Sequence, residues 1–196
     1  MLSSRSTTKN LATSSIAIIL SICDYLKVMG QSASSSHVRR PIFGGNRLSG
    51  VIVRQLFDKE TSTFTYLVSD PKSGLGVIID PVLEQADRDM KLAAELGITL
   101  KYALNTHVHA DHITSTGILK KKIPGLQSVL GKSGNEKAVA DVKLENGAKL
   151  DVGAISLQNR HNPGHTAGCH SLVLFEGSIP LGVFTGDALL IRGCGR

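Results

Sequence analysis

The chain has 196 residues, a formal net charge of +6, no tryptophan and only 4% aromatic residues. The basic excess is local: residues 1–57 hold seven basic residues against one acid, Asp24, leaving fifteen of each sign in 58–196. A neutral body without aromatic–basic interleaving weighs against nucleic-acid binding, and three widely spaced cysteines (Cys23, Cys169, Cys194) weigh against a disulfide framework.

The first 46 residues form a Ser-rich, basic, almost acid-free leader. That composition is expected of an organelle transit peptide. Its apolar run "IAIIL" is far short of the roughly 20 residues that span a bilayer, so no membrane insertion is expected. "SIAIILSIC" offers a secretory signal as the competing reading, and a start at Met29 would give "MGQSAS", a myristoylation pattern with a cytoplasmic outcome.

Residues 47–196 are expected to form one domain. After "FGGNRLSG" the runs "VIVRQLF", "TFTYLVSD" and "GVIIDPV" read as consecutive strands, with "PKSG" turning between the second and third. "ADRDMKLAAELG" predicts a helix, with Met90, Leu92, Ala93 and Leu96 at helical spacing and Gly97 as its stop. "TLKYALNT" is a buried strand. "TSTGILKKKIP" is a short helix whose lysines face solvent. "QSVLGK", "AKLDVG", "ISLQNRH", "HSLVLFEG" and "PLGVFTGDALLIR" are strand-like, with a short helix allowed at 134–142. Strands dominate with helices between some of them, which favours a layered α/β or α+β fold.

The strand "TLKYALNT" runs directly into "HVHADH", residues 107–112. A His-x-His pair at a strand end aims both imidazoles to one side, because alternate residues share a face. His107, His109, Asp111 and His112 place four ligand-type side chains within six positions. Imidazole and carboxylate together suit zinc, iron or manganese rather than calcium. Two later stretches add to the set. "NPGHTAGC" holds His165 in a stiff, Gly-flanked loop between strands. "FTGDALL" ends an apolar strand in Asp187, where a carboxylate is costly unless paired or ligated.

These residues resemble the metallo-β-lactamase superfamily, and within it the glyoxalase II branch. The closer resemblance is to the persulfide dioxygenases, carried by "LFDKETSTFTYLV", "YALNTHVHADHITSTGILK", "PGHTAGC" and "FTGDALLIRGCGR", from about Val51 to the last residue. The six-residue metal motif points only to the superfamily; "TGDALLIRGCGR" is much more specific. The resemblance implies an αββα sandwich and one Fe(II) per chain on His107, His165 and Asp187. It places His109, Asp111 and His112 around those ligands, orienting them and holding water. Arg192 and Arg196 match basic residues of the loop bordering the site, where they would meet a glutathione carboxylate. Cys194 shares that loop.

The implied reaction is oxidation of glutathione persulfide by O2 to sulfite and glutathione in the mitochondrial matrix, and a homodimer is compatible with it. The runner-up is a zinc-dependent thioester hydrolase of the glyoxalase II kind. The family's pattern continues past "GCGR" with more strands, helices and a late histidine. The domain is therefore expected to be the N-terminal two-thirds of the sandwich, with an inactive isoform as the non-enzymatic alternative. His161 and His170 depart from the pattern and are expected to be ordinary polar positions, with a place around the metal ligands as the alternative for His161, four residues before His165.

Overall fold

The apolar runs of the body become the strands of two facing sheets. A computed structural model describes residues 19–20 and 50–195; apart from Ile19–Leu20, the leader expectation lies outside them, as does Arg196. The first sheet has six strands in the spatial order of the sequence: β2 (Ile52–Asp58), β3 (Thr63–Ser69), β4 (Leu75–Ile79), β5 (Thr99–Asn105), β6 (Gln127–Gly131) and β7 (Val142–Leu144). Its first three strands pair antiparallel and the rest parallel. Parallel neighbours need a crossover. Helix α1 (Ala86–Glu95) supplies it between β4 and β5, and α2 (Thr116–Lys122) between β5 and β6.

The second sheet is antiparallel, in the order β1 (Ile19–Leu20), β11 (Ile179–Phe184), β10 (His170–Glu176), β9 (Ile155–His161), β8 (Lys149–Val152). Tyr66, Val68, Val77, Ile79 and Leu104 from the first sheet meet Leu150, Leu157, Leu172, Leu174 and Phe184 from the second in the main core. The alternate residues Leu67, Ile78 and Ala103 face the other way, packing on Ala86 and Ala93 of α1 and Leu119 of α2. Strands buried on both faces carry continuous apolar runs, which is why "YLV", "VII" and "YAL" lack polar alternation. The described residues thus form three layers, helix–sheet–sheet, and no described helix is long and apolar enough to cross a membrane.

Two local expectations fail. Residues 134–142 form turns, not a helix: Gly134 takes a left-handed φ of 75°, the segment has no apolar helical period, and its end joins the sheet as β7. The run "PLGVFTGDALLIR" is not one strand. It stops at Phe184, because Gly186 is left-handed (φ 50°) and opens a 3-10 turn over Gly186–Ala188.

Phe184 is fully buried and its ring lies 5.0 Å from that of Tyr66 across the core. Phe184→Ala is expected to lower unfolding stability by about 3–5 kcal/mol, measured as a lower denaturant midpoint at unchanged slope. Val139→Ser, at a side chain 99% exposed, is the control and should stay within about 0.5 kcal/mol of the parent.

Candidate metal centre

One end of the sandwich collects the ligand-type residues, because strand ends and one loop meet there. Asp80 follows β4, Thr106 and His107 follow β5, His165 sits in the loop between β9 and β10, and Asp187 follows β11. Gly186 makes the approach possible: a methyl group on it would lie 2.3 Å from the Thr106 hydroxyl. Only glycine lets the turn before Asp187 close onto the end of β5.

Six residues fall into two groups, each with its donor atoms within 4.8 Å of one another: His107, His165 and Asp187; and His109, Asp111 and His112. In the first, His165 Nε2 lies 3.5 Å from Asp187 Oδ2, and the His107 and His165 rings meet edge to face at 5.1 Å. The groups adjoin through His107 and His109, whose ring centroids are 4.1 Å apart. The His-x-His spacing does turn both imidazoles to one side, yet it splits them between the two groups.

The hydrogen bonds assign the His107 tautomer. The Thr106 hydroxyl donates to Asp80 Oδ2 at 2.9 Å, since a carboxylate only accepts. With its one hydrogen used, that hydroxyl can only accept from His107 Nδ1, 3.0 Å away. His107 therefore carries its proton on Nδ1. Its Nε2 lone pair is bare, buried and without a hydrogen-bond partner among the described residues. A buried imidazole acceptor left unsatisfied is costly, and a metal ion is the natural occupant for it beside a second imidazole and a carboxylate. His112 repeats the feature: Nδ1 lies 3.3 Å from Asp111 Oδ1, and Nε2 is buried without a hydrogen-bond partner among the described residues.

Asp80 is the functional residue that the motif reading missed. Its carboxylate is buried and accepts from the Thr106 amide (2.7 Å), the Thr106 hydroxyl and His109 Nε2 (3.0 Å). Its backbone is left-handed, φ 48°, a conformation costing about 1–3 kcal/mol in a non-glycine residue. The signal was present in "VIIDP". An acid closing a wholly apolar strand carries the same burial cost that singled out Asp187.

Burial alone would raise the Asp80 pKa; the charge and hydrogen bond of His109, then His107 and the Thr106 amide, outweigh it and hold the carboxyl below the usual range. Burial works against charge on His109 too, but Asp80 beside it, then Asp111 and Asp187, lift His109 above the ordinary imidazole value. His107 goes the other way: burial, then the neighbouring His109 charge, push it down to about 4. Asp111 is held down at about 2, first by its hydrogen bond to His112, against the opposing effect of burial.

Arg192 stands at the exposed tip of a turn closed by paired Leu190–Gly193 hydrogen bonds, with φ 64°, and no ion pair to it is seen among the described residues. Cys194 is exposed beside it. The Gly195 amide folds this loop back by donating to the Asp187 carbonyl at 2.8 Å. A cleft of about 520 Å³ opens beside the histidines. His107, His109 and His112 are among its lining residues, and Val108, Ile113 and Val139 supply apolar side chains.

The opposite shifts of His107 and His109 give a direct expectation for the metal-free chain. At about pH 5.5, above the His107 value of about 4 and below the ordinary imidazole value that His109 exceeds, His107 is expected to be neutral and His109 an imidazolium. Histidine ring 15N shifts should show one bare nitrogen for His107 and two N–H groups for His109. A folded pKa above the unfolded one means that the Asp80–His109 pair stabilises fully below the ordinary imidazole value, and less as pH rises through the folded one. In Asp80→Asn, burial is left unopposed by that carboxylate, and the His109 pKa should fall below about 6.5.

Residues 58–196 match the Metallo-beta-lactamase superfamily. The chain is 50% identical over 146 residues to the human mitochondrial persulfide dioxygenase ETHE1, covering 74% of this chain and 56% of that protein. The crystal structure of ETHE1 from Myxococcus xanthus aligns with a TM-score of 0.67 and 46% identity, covering 74% of this chain and 61% of that one. A hydroxyacylglutathione hydrolase-like protein from Mus musculus is more distant, 36% identical over 67% of this chain and 46% of its own length. The chain thus spans a little over half the length of its curated persulfide dioxygenase relatives. Two facing sheets, a His-x-His-x-Asp-His segment at a strand end, and a distant histidine and aspartate brought to it lead to the same place as the match over 58–196: the chain belongs to the metallo-β-lactamase superfamily.

Proposed function

We propose that this chain carries the iron site of a persulfide dioxygenase, which oxidises glutathione persulfide with O2 and water to sulfite, glutathione and two protons. The observation that carries the reading is the first group, with His107, His165 and Asp187 donors within 4.8 Å and a bare, buried Nε2 on His107. Two imidazoles and one carboxylate form the facial set of non-haem Fe(II) oxygenases and leave positions open for substrate and oxygen. Bound there, Fe(II) would supply the redox chemistry with dioxygen that side chains lack.

The chain's own residues set the stage for that chemistry. Thr106 and Asp80 hold His107 in the tautomer that presents Nε2. The same carboxylate holds His109 Nε2, and in this reading His109, Asp111 and His112 act around the site, orienting ligands and water. Arg192, from the loop that Gly195 ties to Asp187, receives a substrate carboxylate together with Arg196, the residue after Gly195 in the sequence. The cleft rimmed by Val108, Ile113 and Val139 sets aside space for a small organic substrate. The Ser-rich basic leader, together with relatives named mitochondrial, supports a mitochondrial location.

A second reading rests on the second group. Its three donors also lie within 4.8 Å, and hydroxyacylglutathione hydrolases are among the chain's relatives. A zinc-dependent thioester hydrolase would use both groups. The two readings separate in one set of assays on the soluble chain. The dioxygenase reading expects about one iron per chain by elemental analysis and oxygen uptake with glutathione persulfide, without hydrolysis of a glutathione thioester. Two zinc ions with thioester hydrolysis would replace it with the second. His107→Ala and Asp187→Ala should each lose the bound iron and the oxygen uptake together, since each removes one of three ligands; full metal content in either would refute the ligand set.

A further inference from the structure

We propose that Asn135, assisted by His161, is a positioning residue that clamps the loop bearing His165 and thereby sets the third corner of the metal site. The proposal rests on the His107/His165/Asp187 reading above and concerns how the fold holds it.

His107 follows directly from a strand, but His165 does not. Its loop, 162–169, is built from Pro163, Gly164, Thr166, Ala167 and Gly168, which offer almost no apolar side chain for the core; only Gly168 and Cys169 at its end are buried. Hydrogen bonds within the loop shape it: Asn162 N–H to Cys169 O at 3.0 Å, and Gly164 N–H to Thr166 O at 3.1 Å. They do not fix where it sits on the body.

Asn135 does. Its side chain is 5% exposed, and its amide nitrogen donates to Gly168 O at 2.7 Å and to Gly131 O at 3.0 Å. Both amide hydrogens are used, one on the His165 loop and one on the end of β6. The backbones are in direct contact there. A methyl group on Gly168 would lie 2.0 Å from Asn135 Oδ1, and one on the left-handed Gly134 would lie 2.0 Å from Ala167 O. A second donor arrives from β9: His161 Nε2 lies 3.0 Å from Ala167 O, and a carbonyl only accepts, so that nitrogen carries hydrogen. His161 rests against His170, ring centroids 4.8 Å apart, and His170 Nε2 donates to Ser133 O at 2.9 Å. The turn 131–135 and the His165 loop are thus joined by three side chains, two of which, Asn135 and His161, donate directly to loop carbonyls.

The segment that failed to form a helix acquires a purpose from this. Residues 134–135 are turned, with Gly134 left-handed, so that Asn135 can reach Gly131 and Gly168 together. A ligand residue is useful only within about 0.5 Å of its productive place, and losing a group that orients a ligand commonly lowers metal affinity 10–100-fold.

The test is titration of the metal-free full chain with Co(II), followed by its visible absorption. Asn159 provides a matched control: it is fully buried, and its amide donates to Leu144 O and Glu145 O, away from the loop. Asn135→Ala is expected to weaken Co(II) binding about tenfold or more and to change the absorption of the saturated site. Asn159→Ala should lower the melting temperature while leaving affinity and spectrum near those of the parent. His161→Phe keeps a ring against His170 without the donor and empties no buried site. It should weaken binding severalfold, and it carries the test if Asn135→Ala does not fold. Parent-like affinity and spectrum in His161→Phe and in folded Asn135→Ala would overturn the clamp while leaving the metal site standing. A parent chain that takes up no Co(II) would overturn both.

Discussion

The buried carboxylate of Asp80 is the constraint on which the site depends. It accepts the Thr106 amide, the Thr106 hydroxyl and His109 Nε2, so one charged group fixes the end of β5 and the aim of the two histidines that follow. The cost is real: desolvation, plus a left-handed backbone at a non-glycine residue. A buried charge persists only when its lone pairs are satisfied and an opposite charge is near, and His109, whose hold on a proton Asp80 strengthens, bears on the second condition. Removing any member leaves the others poorly solvated, which is why this small network behaves as a unit.

That network makes the two histidine groups unequal although they look alike in sequence. His107 reaches Asp80 only through the Thr106 hydroxyl, is pushed down to about 4, and keeps a bare Nε2. His109 touches Asp80 directly and holds a proton more tightly than an ordinary imidazole. A metal ligand must be unprotonated. The first group therefore offers a cation a bare imidazole nitrogen, whereas in the second His109 holds its proton more tightly than an ordinary imidazole. This asymmetry is the physical basis for proposing one metal rather than two.

The sandwich supplies the stiffness the site needs, but unevenly. Tyr66, Leu104 and Phe184 are locked in the core between the sheets, so the ends of β5 and β11 hold their places by packing. The His165 loop has almost no apolar anchor and is tied by hydrogen bonds instead. Two ligand-type residues thus rest on hydrophobic burial and one on polar contacts. The polar corner is the one that single hydrogen-bond changes can move without unfolding the rest.

Much was legible in the chain itself. The six residues of the two groups, the strands around them and both helices follow from local periodicity and from side-chain chemistry, because burial pattern is a property of a short segment. The turn at 134–142 and the stop after Phe184 were not, since Gly134 and Gly186 act through contacts with distant residues, Ala167 and Thr106. Nor could spacing tell that His107 and His109, two positions apart, serve different groups. The resemblance already divides them that way, and the tertiary structure adds what spacing cannot give, the hydrogen bonds of Asp80 and Asn135. A hydrogen-bond partner is set by which strand ends and loops meet in space, and that meeting is fixed by the packing of the whole sandwich, not by any one stretch of sequence.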